Sequence, residues 1–416
     1  MRKMCRYEVK KVFAKIGGKI ALILLAGVLV MACRFAVDVS YTNESGEQEY
    51  GIAAVRKLRD AQKEWAGTLD EEKLRQVIVE LRRINATPQA QSEDVRERNI
   101  AYGWQQGVLG IHWLMTGVYA DGFRHSDYYR PYSLDPDDAY DFYPNRTRLL
   151  KEWLADEVND SAYYKFSDAE KAYLINQYET IETPFYYDYL EGWKQLFEWY
   201  PTISMLTMIV LGYLVSGIFS GEFQWKADAI FFTAEYGRNK AVAAKVRAGF
   251  GIVTVIYWAM VLLYTAFVLL YLGADGAACP IQANWGSWKS FYNIKIWQEY
   301  VLLVFGGYVG CLFISFLAMF ISAKGKSAVI AVMTPVILIF IPSLVGNLDK
   351  PFVDQILGLL PDQLLQINRA LVYFILYEPM GTVIGAVPIL FAVYTVLSMI
   401  LISMVYRVYK KSQVGI

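Results

Sequence analysis

Two long runs of uncharged, mostly apolar residues constrain the fold of this chain more than any other feature of its sequence. The runs are Pro201–Ser220 and Gly249–Leu272. Each is long enough to cross the hydrocarbon core of a bilayer as a helix of about 20 residues. The segment between them, residues 221–247, holds five Lys/Arg residues and three acidic residues. Because short segments rich in Lys/Arg stay on the cytoplasmic side of a membrane, we expect two spans joined by a cytoplasmic loop.

Further apolar stretches extend this prediction to an all-α membrane protein with six spans and both termini in the cytoplasm. The spans are expected within residues 1–37 and at about 201–220, 249–272, 300–322, 328–345 and 383–406. The chain thus divides into residues 1–37, residues 38–200 and a five-helix transmembrane domain, residues 201–416. The excess of Lys/Arg in the short segments predicted to be cytoplasmic agrees with this orientation.

The N-terminal segment combines basic residues with an apolar stripe. Its first 19 residues hold seven Lys/Arg residues and a single acidic residue, Glu8. Val9, Val12, Phe13 and Ile16 recur at helical spacing, which predicts an amphipathic helix on the membrane surface ahead of the first span. A secretory signal peptide begins in a similar way. The long amphipathic lead and the lack of a small-x-small cleavage pattern favour an uncleaved span.

Residues 38–200 are predicted to form a mainly helical extracytoplasmic domain between the first two spans. Asp38–Trp199 holds 30 acidic and 18 basic residues, a net charge of −12, and the rest of the chain has a net charge of +12. Thr68–Glu71 and Ser167–Glu170 match capping boxes at helix starts, and no strand alternation of useful length is present. The many Tyr and Trp residues fit either ordinary packing or an aromatic surface that grips an amphiphilic or peptidic ligand.

A second outer region is expected just before the last span. Residues 347–382 contain two apolar stretches, Ile356–Leu360 and Leu371–Tyr377, and both are too short to cross a membrane. Pro361, Asp362 and Arg369 separate them. We therefore predict two outer re-entrant or interfacial helices here.

The sequence offers little support for chemistry on this chain. Lys324–Ser327 ends like a phosphate-binding loop, but Phe320 stands where that motif needs its first glycine. The two histidines, His112 and His125, have no spacing that indicates a metal site, and the four cysteines are scattered. We expect no catalytic residues, no cofactor and no metal on this chain, and no nucleic-acid partner.

The predicted spans hold no Asp, Glu, Lys or Arg near their midplanes. Carriers coupled to protons or ions keep such groups there, so the energy for any transport has to enter elsewhere. The central loop offers an entry point, because Ala227–Ala234 predicts a short helix with an apolar surface of Ile230, Phe231 and Phe232. An apolar surface in the cytoplasm indicates a protein partner.

The central segment contains Phe219-Ser-Gly-Glu222, followed by Ala229-Ile-Phe-Phe-Thr-Ala-Glu-Tyr-Gly-Arg238 and Lys245. This pattern, together with the order of a basic N-terminal segment, one span, an outer domain and five spans, resembles that of bacterial ABC-2-type transporter permeases. It covers residues 1–37 and 201–416, and the large outer domain departs from the smallest family members. In that family the loop carries a coupling helix that docks on a separate ATPase subunit, which binds ATP and Mg²⁺. The resemblance assigns ATPase coupling to Glu222, Asp228, Ile230, Phe231, Phe232, Arg238 and Lys240.

The expected function is therefore that of the membrane subunit of an ATP-driven exporter in a bacterial cytoplasmic membrane. The resemblance implies two permease subunits, identical or paralogous, above two ATPase subunits. The aromatic outer domain favours a peptide or another amphiphile as cargo. The alternative is a membrane protein that senses a ligand through its outer domain and signals through its inner loop without transport.

Overall fold

The computed structural model describes residues 1–124, 126–156, 166–345 and 351–412, and it is mostly helical. Five of its helices are long and apolar enough to cross a membrane, with a mean hydropathy of at least 1.9 in their most apolar stretches. They are α2 (Ile16–Ala36), α9 (Glu191–Gln224), α11 (Lys240–Leu272), α12 (Ile296–Gly325) and α16 (Ala386–Lys410). The chain is thus a candidate multi-pass membrane protein.

The sixth predicted span coincides with a shorter apolar helix. Helix α13 covers Ala328–Val345, and its apolar stretch Ala328–Pro342 falls short of the length of the other five. The prediction of a sixth span therefore remains a prediction.

Helix α12 is the centre of the helical bundle, where it contacts α9, α11, α13 and α16. Close approach depends on Gly307 of α12, because a Cβ atom at this position would overlap the hydroxyl groups of Tyr200 and Tyr257. Those two hydroxyls are hydrogen-bonded to each other, and Tyr200 also donates to the carbonyl of Leu303. The bundle thus satisfies two buried tyrosines where three helices meet.

The N-terminal segment forms a separate helix, α1 (Arg2–Ala14), which meets α2 at Lys15. The backbone of Lys15 is extended, with φ −72° and ψ 146°, so the chain bends there. Gly17 and Gly18 allow the bend to be tight, because a Cβ atom at Gly17 would overlap the Tyr213 hydroxyl and one at Gly18 would overlap the Val12 carbonyl. We call the bend at residues 15–18 the elbow.

The described residues between α2 and α9 form six α-helices and two short antiparallel strand pairs. The helices are α3 (Ile52–Lys63), α4 (Glu71–Asn85), α5 (Val95–Gln105), α6 (Leu109–Tyr119), α7 (Phe142–Ala155) and α8 (Asp168–Glu179). The strand pairs are β1 (Ser40–Thr42) with β2 (Gln48–Tyr50) and β3 (Gly67–Thr68) with β4 (Tyr186–Tyr187). The apolar stripes face inward, as in α4, where Leu74, Val77, Ile78 and Leu81 are buried at helical spacing.

One of the two predicted capping boxes is confirmed. Ser167 caps α8, and Glu170 returns a hydrogen bond to the Ser167 backbone. The box predicted at Thr68 is wrong, because Thr68 lies in β3 and pairs with Tyr186. Asp70 caps α4 instead, by accepting from the backbone N–H of Lys73.

The loop that follows α11 packs against the region between α2 and α9. The buried Arg146 of α7 donates to the carbonyls of Trp288 (2.9 Å) and Ser290 (3.2 Å). At the start of the loop, Asp275 forms ion pairs with Arg59 and Lys63 of α3, at 2.7 and 2.6 Å. Residues 273–295 and the region before α9 therefore share one core.

The secondary structure of residues 351–382 differs from the two predicted helices. Helix α14 covers Pro351–Leu357, ahead of the predicted Ile356–Leu360, and residues 346–350 lie outside the described part of the chain. The helix predicted at Leu371–Tyr377 is not formed. This stretch ends in β5 (Leu376–Tyr377), which pairs with β6 (Ile384–Gly385). The second helix is a single turn, α15 (Ile367–Ala370). The side chains of Leu371 and Leu376 are buried in the protein core. The backbone N–H groups of residues 371–373 donate to carbonyls of α15, and only Leu376 and Tyr377 pair as a strand.

Candidate functional site

The loop between α9 and α11, residues 225–239, contains the predicted short helix. Helix α10 covers Asp228–Thr233. Ile230 is 76% exposed, Phe231 is partly buried and Phe232 is only 4% exposed. The predicted apolar surface of three residues is therefore wrong for Phe232. Its ring packs against Phe223 of α9 and Tyr409 of α16, with ring centres 5.9 and 5.2 Å apart.

The predicted basic residues of the loop have different environments. Arg238 donates from Nη1 to the carbonyls of Lys410 (2.9 Å) and Ser412 (3.0 Å), and its guanidinium lies 4.9 Å from the centre of the Phe232 ring. Lys240 is exposed, with Nζ 4.2 Å from the centre of the Tyr236 ring. Arg238 thus joins the loop to the end of α16, whereas Lys240 remains available to a partner.

The two predicted acidic residues are both buried. Asp228 lies in the first turn of α10, where the positive end of the helix dipole stabilises a carboxylate. Glu222 lies near the end of α9 and accepts hydrogen bonds from Lys11 (2.6 Å), Lys245 (2.8 Å) and Tyr409 (3.1 Å). A buried carboxylate needs such partners, because burying an unpaired charge is costly.

Lys245 completes the arrangement around Glu222. Its side chain has no exposed surface, and Nζ contacts Glu222 (2.8 Å), Glu8 (3.1 Å) and the carbonyl of Ile218 (2.8 Å). We call Glu8, Lys11, Glu222, Lys245 and Tyr409 the charge cluster. It joins α1, α9, α11 and α16 at one point.

Sequence reasoning identified only Glu222 among the five members of this cluster as a site residue. Lys245 was part of the family pattern, but nothing local paired it with Glu222. One signal was available, because Glu8 is the single acidic residue in a strongly basic amphipathic segment. A lone acid at a buried position of such a helix indicates a specific basic partner.

A cleft of about 710 Å³ lies between α1 and the loop. Glu222 and Lys11 line its inner part, and the exposed side chains Tyr7, Trp225 and Ile230 line its rim. Aromatic and large aliphatic side chains of this kind dominate the energy of protein interfaces. Exposed apolar side chains beside a cleft gain free energy when another molecule covers them.

The described residues hold no group of three His, Cys, Asp or Glu side chains that could bind a metal ion. His112 is fully buried among the rings of Trp113, Tyr128 and Tyr132, and burial lowers the pKa of its imidazole to about 4. This environment is that of a packed, neutral histidine. His125 lies outside the described part of the chain.

In comparisons with protein-family models, curated proteins and solved structures, nothing matches this chain. The assignment of function therefore depends on the residues and contacts of the chain itself.

Proposed function

We propose that this chain is the membrane subunit of an ATP-binding cassette exporter, and that the loop at residues 225–239 docks a separate ATPase subunit. Two such subunits, identical or paralogous, form the translocation pathway in a bacterial cytoplasmic membrane. The five long apolar helices and the resemblance of residues 219–245 to the permease pattern support this function.

The observation that carries the proposal is the exposure of Ile230 on a firmly held helix. Its neighbour Phe232 is buried, and Arg238 fixes the far side of the loop to the end of α16. A large apolar side chain that is 76% exposed beside an apolar cleft gains free energy when a partner covers it. Because α10 is already held in place by these contacts, docking there costs little conformational entropy.

The topology that we propose has six spans, with α13 as the fifth. Both termini and the loop at residues 225–239 lie in the cytoplasm, and residues 38–200 lie outside. The Lys/Arg bias of the loop and of the N-terminal segment supports this orientation. The aromatic side chains of the outer region favour a peptide or another amphiphile as cargo.

The test uses a photoreactive phenylalanine analogue at position 230 of the full chain in its native host. The expected result is a crosslink to a soluble protein that carries the G-x-x-x-x-G-K-[ST] phosphate-binding loop, and ATP hydrolysis by the purified complex. The same probe at Tyr129, an exposed residue of the outer region, is the control and should not label that protein.

A substitution makes the same test quantitative. Ile230→Asp removes a side chain whose burial contributes about 1.5–3 kcal/mol, so the ATPase should bind about 10- to 100-fold more weakly. Thr233→Asp adds the same charge to the same helix at an exposed position away from the cleft, and it should weaken binding less. Crosslinking of Ile230 to a kinase or other signalling protein would instead support the sensing alternative and refute export.

A further inference from the structure

A second cavity, of about 320 Å³, lies at the elbow between α1 and α2. Its size falls at the lower end of ligand pockets, which span about 300–1,000 Å³. Val12, Ile16, Leu214 and Ile218 form an apolar wall. Lys15 and other polar side chains line the remainder. The cavity is therefore amphiphilic, with a charged side and an apolar side.

Lys15 is the basic group left over when the neighbouring charges are paired. Lys11 pairs with Glu222, and Lys245 pairs with both Glu222 and Glu8. Within the described residues no carboxylate lies at ion-pair distance from Lys15. Three ammonium groups thus share two carboxylates, and this part of the protein carries one uncompensated positive charge.

The surroundings of Lys15 sharpen this imbalance. Its Nζ lies 4.6 Å from the centre of the Trp225 ring, and the Nζ of Lys11 lies 4.9 Å from the same centre. Burial, and then the charge of Lys11, lower the pKa of Lys15. An anion in the cavity would remove both penalties, because it would pair with Lys15 and offset the repulsion from Lys11.

The position of the cavity identifies the kind of anion. Lys15 separates a basic amphipathic helix from α2, which is apolar enough to span a membrane. The exposed apolar side chains Ile16, Ile20 and Ile23 continue from the cavity along α2. A ligand that fits must therefore carry a negative group beside Lys15 and hydrocarbon along the apolar wall.

We propose that this cavity binds an anionic phospholipid, with the headgroup phosphate at Lys15 and an acyl chain running along α2. This site adjoins the cleft of the proposed ATPase interface, because Glu8 and Lys11 line both, but the proposal does not depend on an export function. Lipid bound there would hold the elbow, and with it α1, at a fixed position on the membrane surface.

The experiment compares lipid retention by the purified full chain in native mass spectrometry, with phosphatidylglycerol and phosphatidylcholine supplied in equal amounts. Both lipids carry the phosphate, but only phosphatidylglycerol carries a net negative charge, which contributes about 1 kcal/mol per nearby Lys or Arg, so we expect phosphatidylglycerol to be preferred by about fivefold. Lys15→Gln should abolish most of this preference. Lys10→Gln is the matched control, because Lys10 is exposed in the neighbouring helix α1 and does not line the cavity.

A second variant tests the cavity while keeping every charge. Gly217 lines the cavity, and a Cβ atom there would meet only the Nζ of Lys15, at 3.8 Å, so the side chain of Gly217→Leu starts in open space and occupies part of the cavity. We expect this variant to keep the thermal stability of the wild type and to lose the lipid preference.

Several results would overturn the proposal. Equal retention of the two lipids by the wild type would show that the cavity does not select a charge. Equal losses in Lys15→Gln and Lys10→Gln would indicate a diffuse basic surface. Displacement of the bound lipid by millimolar inorganic phosphate alone would assign the site to a free anion, and retained preference in Gly217→Leu would exclude the cavity.

Discussion

Replacing Lys245 by Met tests whether the charge cluster holds the end of the helical bundle together. The Lys245 side chain has no exposed surface, and its Nζ has three partners within 3.1 Å. Removing one member of a buried ion pair costs about 3–5 kcal/mol, because it leaves an uncompensated charge. Glu222 would keep Lys11 and Tyr409, whereas Glu8 would lose the ion pair that the described residues provide. We therefore expect destabilisation at the lower end of this range, about 3 kcal/mol.

The assay is unfolding by SDS in mixed micelles, followed by tryptophan fluorescence. Lys240→Met is the control, because Lys240 begins the same helix but is exposed, and such surface changes alter the free energy of unfolding by about 0.5 kcal/mol or less. Combining Lys245→Met with Glu8→Gln removes the Glu8 charge that Lys245→Met leaves unpaired. The double variant should therefore be about 1 kcal/mol or more stable than the sum of the two single changes predicts. If Lys245→Met unfolds as readily as Lys240→Met and no more, the cluster does not stabilise the fold and the reasoning fails.

Two further predictions concern the region between α2 and α9. The pKa of His112 is about 4 in the folded protein and 6.5 in the unfolded chain. The stability that the neutral imidazole contributes is therefore complete above pH 6.5 and is lost as the pH falls towards 4. The wild type should lose about 2 kcal/mol of unfolding free energy between pH 7 and pH 5, and His112→Gln should not. A pH profile that is identical in the two proteins would contradict this. Arg146→Met removes two hydrogen bonds from a charged donor to the carbonyls of Trp288 and Ser290, which should lower the free energy of unfolding by about 1.5–3 kcal/mol. Because this loosens the loop, the backbone N–H groups of Trp288 and Ser290 should exchange hydrogen faster. Arg148→Met, at an exposed position of the same helix, should leave that exchange unchanged.

The long helices were predictable because crossing a bilayer requires a long run of apolar residues, and such runs are visible in composition. Their boundaries were not. Helix α9 begins at Glu191, ten residues before the predicted span, and passes through Pro201 without ending. Its first part carries charged residues that read as a soluble segment, yet Trp193 and Leu196 are buried there. Contacts with the loop after α11 determine where this helix begins, as in the hydrogen bond from Trp193 to the carbonyl of Ala274. Such contacts have no local sequence signal.

The candidate site was predictable only in part, for a similar reason. The exposed apolar residue Ile230 follows from a short amphipathic helix in a polar loop, and the structure has that helix. The burial of Phe232 depends on Tyr409, which lies 177 positions later in the chain. Likewise the partners of Glu222 come from both ends of the sequence, Lys11 and Tyr409. Periodicity identifies which side of a helix is apolar, but it does not identify which distant helix covers that side.

Direct contacts connect the short helix α10 to the charge cluster. The backbone N–H of Ala227, just before α10, donates to the carbonyl of Glu222 at 2.8 Å. Phe232, within α10, packs on the ring of Tyr409, whose hydroxyl donates to the Glu222 carboxylate at 3.1 Å. A force applied at Ile230 therefore reaches the ends of α9 and α16 through direct contacts, and reaches α11 through Lys245. Because a buried charge without its partner is costly, these helix ends move together more readily than they separate.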